Sequence, residues 1–271
     1  MSELAPRTIE GWYALHQVMR VDWRALRASS AQERATLLAE TERLMAGLAA
    51  PERAGWSAAY RLIGGGADFM LVHFRETLDE LADVQLAIRR SRLGALLTID
   101  YDFTSVTEAG LYHASAEAAA DAVDDLKKYA ALLDEAAAAE AASPHVRTRL
   151  YPEPPADMRV ISFYPMSKRR VHPDNWYALD VAERNRMMAE HGLSGRRFAG
   201  RIFQVITGAV GFDDWEWGVT LFARDPLDIK RVVTELRYDE ASTKYGEFGT
   251  FFVGVRMGEA EWGEFLSVDG D

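Results

Sequence analysis

The 271-residue chain contains no cysteine. That excludes disulfides, iron–sulfur clusters, thiolate haem ligation and cysteine nucleophiles together. It also lacks any apolar run near the roughly 20 residues that a membrane helix needs. The N-terminus, Met1-Ser2-Glu3-Leu4-Ala5-Pro6, has neither a basic n-region nor an apolar h-region, so no secretion signal is read there and the cytoplasm is the expected compartment. Positive charge is in deficit: the net charge is -11, which argues against nucleic acid as a partner. Nucleophile-elbow, Walker A, dinucleotide and zinc-ligand patterns are absent as well. Gly64-Gly65-Gly66 lacks the following helix and lysine of a phosphate loop and reads as a turn. The rest is ordinary for a globular protein, 48% hydrophobic and 27% charged.

Against that background one segment stands out, Phe163-Tyr164-Pro165-Met166-Ser167-Lys168-Arg169-Arg170. It starts as a strand, where alternate side chains share a face. Ser162, Tyr164, Met166 and Lys168 point one way; Phe163 and Ser167 point the other. A half-buried strand would ordinarily carry Val, Ile or Leu at such positions. Pro165 belongs at an edge or bulge. The segment lies in a basic island: from Arg159 to Arg201 nine Lys/Arg stand against four Asp/Glu. The island is either a solvated face or a pocket for a small polyanion.

The pattern predicts strands at 8–21, 97–106 and, as a hairpin through Gly64–Gly66, within 60–74. Helices are predicted at 31–48 and 76–93. A helical stretch at 115–143 precedes the Pro-rich link Tyr151-Pro152-Glu153-Pro154-Pro155. The second half repeats the first: strand 159–166, helix 181–190 with a C-cap at His191-Gly192, strands 201–207 and 215–222, helix 227–236, strand 249–255. Each half reads β-α-β-β-α-β, the ferredoxin-like order, so the fold class is α+β with two such units. Residues 1–112 form the first unit, 113–157 a helical and Pro-rich connection, and 158–271 the second.

Several residues carry two readings each. His191, flanked by Met187-Met188 and Gly192, is a capping or core histidine, or an axial ligand to haem iron. Gln204, between Ile202 and Ile206 on one strand face, is hydrogen-bonded within the core or lines a pocket. Trp215 and Trp217 share a face, as core or as flanks of a flat cofactor. Arg237 and Ser242 straddle the end of the last helix, solvated or placed to donate to an anion.

Taken jointly, Phe163–Arg170, Asn175-Trp176-Tyr177, His191-Gly192, Gly195–Gly200, Gln204–Gly208, Gly211–Phe222 and Tyr245–Gly249 resemble the coproheme decarboxylase branch of the chlorite dismutase-like haem proteins. The blocks match in order and spacing from about residue 147 to 256. The resemblance implies a dimeric α+β barrel of two ferredoxin-like units, a homopentamer, and haem in the C-terminal half. It implies that His191 is the axial iron ligand, Tyr164 the tyrosine that becomes a radical, and Gln204 the distal residue where peroxide binds. Arg149, Met166, Lys168, Arg237 and Ser242 would surround the propionates, with Ser167 and Trp217 also in the porphyrin site. Chlorite dismutases proper carry a distal arginine where this chain has Gln204, which disfavours chlorite chemistry.

The implied reaction is peroxide-dependent conversion of iron-coproporphyrin III to haem b, two propionates becoming vinyls with loss of carbon dioxide. Iron-coproporphyrin III is then both substrate and redox cofactor. A tetracarboxylate needs several cationic or hydroxyl donors, each charge-assisted bond contributing roughly 1.5–3 kcal/mol. Tyrosine, with an ordinary pKa of about 10, is a neutral phenol that can give up an electron and a proton together. The other readings are a non-catalytic haem carrier or sensor, and a chlorite dismutase or peroxidase of the same fold.

Overall fold

The computed structural model describes residues 7–122 and 125–268. The stretch Met1–Pro6, read above for a secretion signal, lies outside them. The first elements in chain order are β1 (Thr8–Val21), α1 (Trp23–Ala28), α2 (Ala31–Ala49), β2 (Gly55–Leu62), β3 (Phe69–Arg75), α3 (Leu78–Arg90) and β4 (Leu97–Gly110). Three helices follow, α4 (Tyr112–Asp121), α5 (Leu126–Ala142) and α6 (Pro144–Leu150). Then come β5 (Val160–Lys168), α7 (Val181–Arg196), β6 (Ile202–Gly208), β7 (Trp217–Ala223), α8 (Pro226–Leu236), α9 (Glu240–Tyr245), β8 (Gly246–Phe248), β9 (Phe252–Met257) and α10 (Trp262–Phe265). The class is α+β, as expected. Among the described residues no helix is long and apolar enough to cross a membrane.

These elements form two compact units that interleave along the chain. One comprises 12–105, 159–161 and 252–268. Its ladder is antiparallel, with β3 between β1 and β2, and β2 paired in turn with β9. Gly64, Gly65 and Gly66 all take positive φ, 80, 75 and 77°, which only glycine adopts without strain and which explains the expected hairpin turn. α2 and α3 start on capping boxes, Ser30 with Glu33 and Thr77 with Glu80, so both helix starts satisfy their own orphan N–H groups. Leu37, Thr41 and Met45 repeat every four residues along α2 and are buried. Leu37 and Met45 pack with Met19, Ala59, Phe69, Leu71, Val84 and Ile88 in one cluster. Each fully buried Leu, Phe or Met contributes about 1.5–3 kcal/mol.

The other unit comprises 7–11, 106–122, 125–158 and 162–251. Here β6 pairs with the end of β4, at Val106↔Gly208 and Thr107↔Thr207, and along its length with β7. β7 pairs with β5, and β5 with β8. The β5–β8 register runs over Met166↔Phe248 to Lys168↔Gly246, so Pro165 falls just outside it and its missing N–H removes no bond from that ladder.

Four expectations change. The stretch 115–143 is two helices, because Asp125 accepts from the backbone N–H groups of Lys127 and Lys128 and starts α5 anew. Helix α7 does not stop at His191-Gly192 but runs on to Arg196; Gly192 keeps helical backbone. The strand expected at 215–222 begins only at Trp217. The strand expected at 249–255 starts only at Phe252 and runs to Met257 as β9; residues 249–251 link it to β8, with Gly249 passing so close to Pro165 and Trp215 that a Cβ would meet them at 2.7 and 3.0 Å.

Replacing Thr77 by Ala removes the capping box of α3 and should lower the unfolding free energy by about 1 kcal/mol, read from denaturant titration; an unchanged midpoint would show that the cap carries no stability.

Candidate active site

Strand alternation places Tyr164, Met166 and Lys168 on one face of β5. Tyr164 is 5% exposed. Its ring stacks on Phe251 with centroids 4.2 Å apart. Burial pushes the phenol up to about 12, softened by the Arg237 guanidinium. Met166 is half-buried. Lys168 is 7% exposed, an uncommon state for lysine. Its Nζ donates to the Ala241 carbonyl at 3.2 Å and lies 4.6 Å from the Trp176 ring centre. Burial pulls the ammonium down to about 8, opposed by the charges of Asp239 and Glu216.

The end of this strand is held by Glu216. Its buried carboxylate accepts from the Lys168 backbone N–H at 2.8 Å, and its own N–H donates to Ser167 Oγ at 3.2 Å. Ser167, on the opposite face from Lys168, is thereby engaged with the chain before β7.

The turn from α8 into α9 gathers the remaining groups. Arg237 lies over the Phe248 ring, 3.7 Å from its centre. Asp239, 6% exposed, is the N-cap of α9 and accepts from the Ser242 N–H at 2.8 Å and from Ser242 Oγ at 3.3 Å. His191 Nδ1 donates to the same carboxylate at 2.8 Å. Burial alone would raise the Asp239 pKa, but His191 and Ser242 outweigh it and hold the carboxyl below its ordinary range. A carboxylate can only accept, so Nδ1 carries the ring proton and Nε2 is the nitrogen able to meet a metal. Among the described residues no group of three or more His, Asp or Glu side chains is placed to hold a bare metal ion.

Gln204 is exposed on β6 between half-buried Ile202 and Ile206, so the core reading of this amide fails and it faces outward from an apolar strand face. Trp217 shares that face through the β6–β7 register, opposite Gly208. Its Nε1 donates to Glu108 Oε1 at 2.7 Å. Burial raises the Glu108 carboxyl, opposed by this bond. A Cβ at position 208 would meet Glu108 Oε2 at 2.2 Å, so a side chain there would displace the carboxylate that receives Trp217. Arg149 lies in the last turn of α6, where partial loss of hydration around its guanidinium and then the Arg196 charge lower its pKa.

Thus Tyr164, Lys168, His191, Arg237 and Ser242 converge on residues 237–251, Gln204 and Trp217 occupy the β6–β7 face, and Arg149 approaches the end of α7. Asp239, Glu216 and Glu108 are not singled out by the sequence pattern. Asp239-x-x-Ser242 is legible as a helix cap; its bond to His191 spans 48 residues and has no local signature.

The family model described as chlorite dismutase matches residues 28–257. This chain belongs to the chlorite dismutase family. A coproheme decarboxylase of Staphylococcus carnosus (strain TM300) is 40% identical over 266 residues, covering 97% of this chain and 99% of that protein. A haem-binding protein from Thermus thermophilus has a TM-score of 0.83 at 35% identity, over 97% of each chain. A chlorite dismutase from Candidatus Nitrospira defluvii, solved with imidazole, has a TM-score of 0.71 at 18% identity over 95% and 96% of the two chains, a likeness of fold. The family fold, with its ferredoxin-like units, accounts for the repeated order of elements.

Lys168 gives the site a pH signature. Its folded pKa, about 8, lies below the ordinary 10.5, so the unfolded chain binds more protons between those values and stability rises with pH across that window. Denaturation of the wild type and Lys168→Met from pH 7 to 10.5 should show the wild type gaining relative to the variant above pH 8; parallel curves would mean the ammonium is solvated.

Proposed function

We propose that this chain oxidatively decarboxylates iron-coproporphyrin III to haem b, with hydrogen peroxide as oxidant and Tyr164 as radical relay. The observation that carries this reading is the pairing of two buried ionisable side chains, Tyr164 and Lys168, on one face of β5. The same short stretch, 237–251, also anchors the His191 ring. The 40% identity to a coproheme decarboxylase supports the same substrate.

The residues fit an iron porphyrin. A porphyrin brings four equatorial nitrogens, so the protein need supply one axial ligand, and His191 offers a single nitrogen fixed by Asp239. Lys168, Arg237, Ser242 and Arg149 provide cationic and hydroxyl donors for propionates. The half-buried face of Ile202, Ile206 and Trp217 suits a flat apolar ring, with Met166 beside it.

The iron of the bound substrate, with peroxide, supplies the one-electron oxidations. Tyr164 is neutral at rest, because burial pushes its pKa to about 12, so it releases an electron and a proton together rather than a proton alone. The phenoxyl so formed takes a hydrogen atom from a propionate β-carbon, which restores the phenol. Removal of one further electron from that carbon lets the bond between the adjacent α-carbon and the carboxylate break; its electron pair forms the vinyl double bond as carbon dioxide leaves. Each propionate thus gives up two electrons, one peroxide becomes two waters, and one proton is taken up. Lys168, with a pKa of about 8, holds a propionate as ammonium and can exchange a proton near neutrality. Gln204 hydrogen-bonds peroxide without a charge and so avoids the fast bond cleavage that a distal cation would favour. A homopentamer in the cytoplasm accompanies this reading through the family resemblance.

Mass spectrometry of the porphyrin after mixing protein, iron-coproporphyrin III and peroxide should record the loss of two carboxyl groups. An unchanged mass would instead favour a haem carrier. Tyr164→Phe should bind the porphyrin with unaltered affinity and leave all four propionates; full turnover would refute the relay. His191→Ala should shift the Soret band of the bound porphyrin, and an identical spectrum would exclude axial ligation. Chlorite should yield no oxygen.

A further inference from the structure

In the unit formed by 12–105, 159–161 and 252–268, several buried polar side chains gather between the sheet and α2. Antiparallel register aligns Leu15 with His73 and His73 with Ser57, and likewise Gln17 with Leu71 and Leu71 with Ala59. Gln17, Ser57, His73 and Arg75 therefore share one sheet face, with Gln17 diagonal to His73. That is the face α2 covers, since Met19, Ala59 and Leu71 of this face share a cluster with Leu37 and Met45. Thr41 lies between Leu37 and Met45 on the same helical stripe. All are sealed from solvent: Gln17 and Thr41 are 1% exposed, His73 0%, Arg75 3% and Ser57 7%.

The bonds within the group fix its protonation. Arg75 Nη1 donates to the carbonyls of Trp56 and Phe74 at 2.8 and 2.7 Å. Its Nη2 donates to the Leu48 carbonyl at 2.9 Å and to Ser57 Oγ at 3.0 Å. Ser57 Oγ accepts from Arg75, and His73 Nδ1, 2.7 Å away, is the acceptor within reach of its own hydrogen. His73 Nδ1 then accepts, and the ring proton sits on Nε2.

That Nε2 has no partner, and neither do Gln17 Oε1, Gln17 Nε2 or Thr41 Oγ1. A buried donor or acceptor with no partner loses its hydration and regains nothing, so four together in one layer are a heavy cost for a marginally stable domain. We propose that Gln17, Thr41 and His73 form a buried hydration site holding one or two water molecules. The guest must accept, from His73 Nε2–H and the Gln17 amide, and must also donate, to Gln17 Oε1. Water does both and typically makes about three such bonds in protein interiors. A halide only accepts, although the buried Arg75 charge would favour it electrostatically. Leu37, Met45 and Leu71, which pack in the same layer, offer side chains with no conventional donor or strong acceptor.

A high-resolution crystal structure of the full chain, with a bromide-soaked crystal in parallel, tests the assignment. Expected is a solvent peak roughly 2.7–3.2 Å from His73 Nε2 and from Gln17 or Thr41, without anomalous signal. Gln17, Thr41 and His73 bonded directly to one another with no peak between them would overturn it. So would an anomalous bromide peak at that position. The double variant Gln17→Leu/Thr41→Val should lose the peak; its persistence would likewise show that these side chains do not hold it.

Discussion

Antiparallel pairing sends every second side chain to the same face, and the register then fixes which strands share neighbours. This one constraint builds both polar features of the chain. In β5 it sets Tyr164 and Lys168 on one face and Ser167 on the other. Through the β6–β7 ladder it puts Gln204 and Trp217 on a common face. Through β1–β3–β2 it brings Gln17, Ser57, His73 and Arg75 together under α2. A one-residue slip in any of these ladders would turn the whole set over and leave buried groups without partners.

The periodicity of two makes the faces of β5 and β6 legible in the order of residues alone. The capping residues Ser30 and Thr77 and the three glycines at 64–66 likewise mark their own elements, because each acts within a few residues. What is not legible depends on distance along the chain. The reach from His191 to Asp239, from Lys168 to Glu216 and from Trp217 to Glu108 is set by how strands and helices pack, and none of these pairs lies within one element. The end of α7 departs from expectation for a related reason. Glycine raises the cost of a helix by only about 1 kcal/mol relative to alanine, and burial of Arg184 and Met187 on that helix outweighs it at Gly192. The exposure of Gln204 is equally hidden, since two flanking isoleucines suggest a core position whether or not anything covers them.

The two units treat the layer between sheet and helix differently. Where α2 lies over the sheet, Leu37 and Met45 close the layer, and polar groups inside it must be satisfied internally. On the β6–β7 face, Gln204 is exposed and its isoleucine neighbours are only half-buried. This layer is therefore closed in one unit and partly open in the other.

Asp239 does two tasks with one carboxylate. It caps α9, a helix of six residues, and it holds the His191 ring. A helix that short has little stability of its own. The orientation of the imidazole and the folding of α9 are therefore thermodynamically linked. Anything that captures His191 Nε2 strengthens α9, and with it the Ala241 carbonyl that receives Lys168. Conversely, fraying of α9 loosens the histidine and the lysine in a single event. The His191 ring, α9 and the Lys168 ammonium are thus held in place by one cooperative set of bonds.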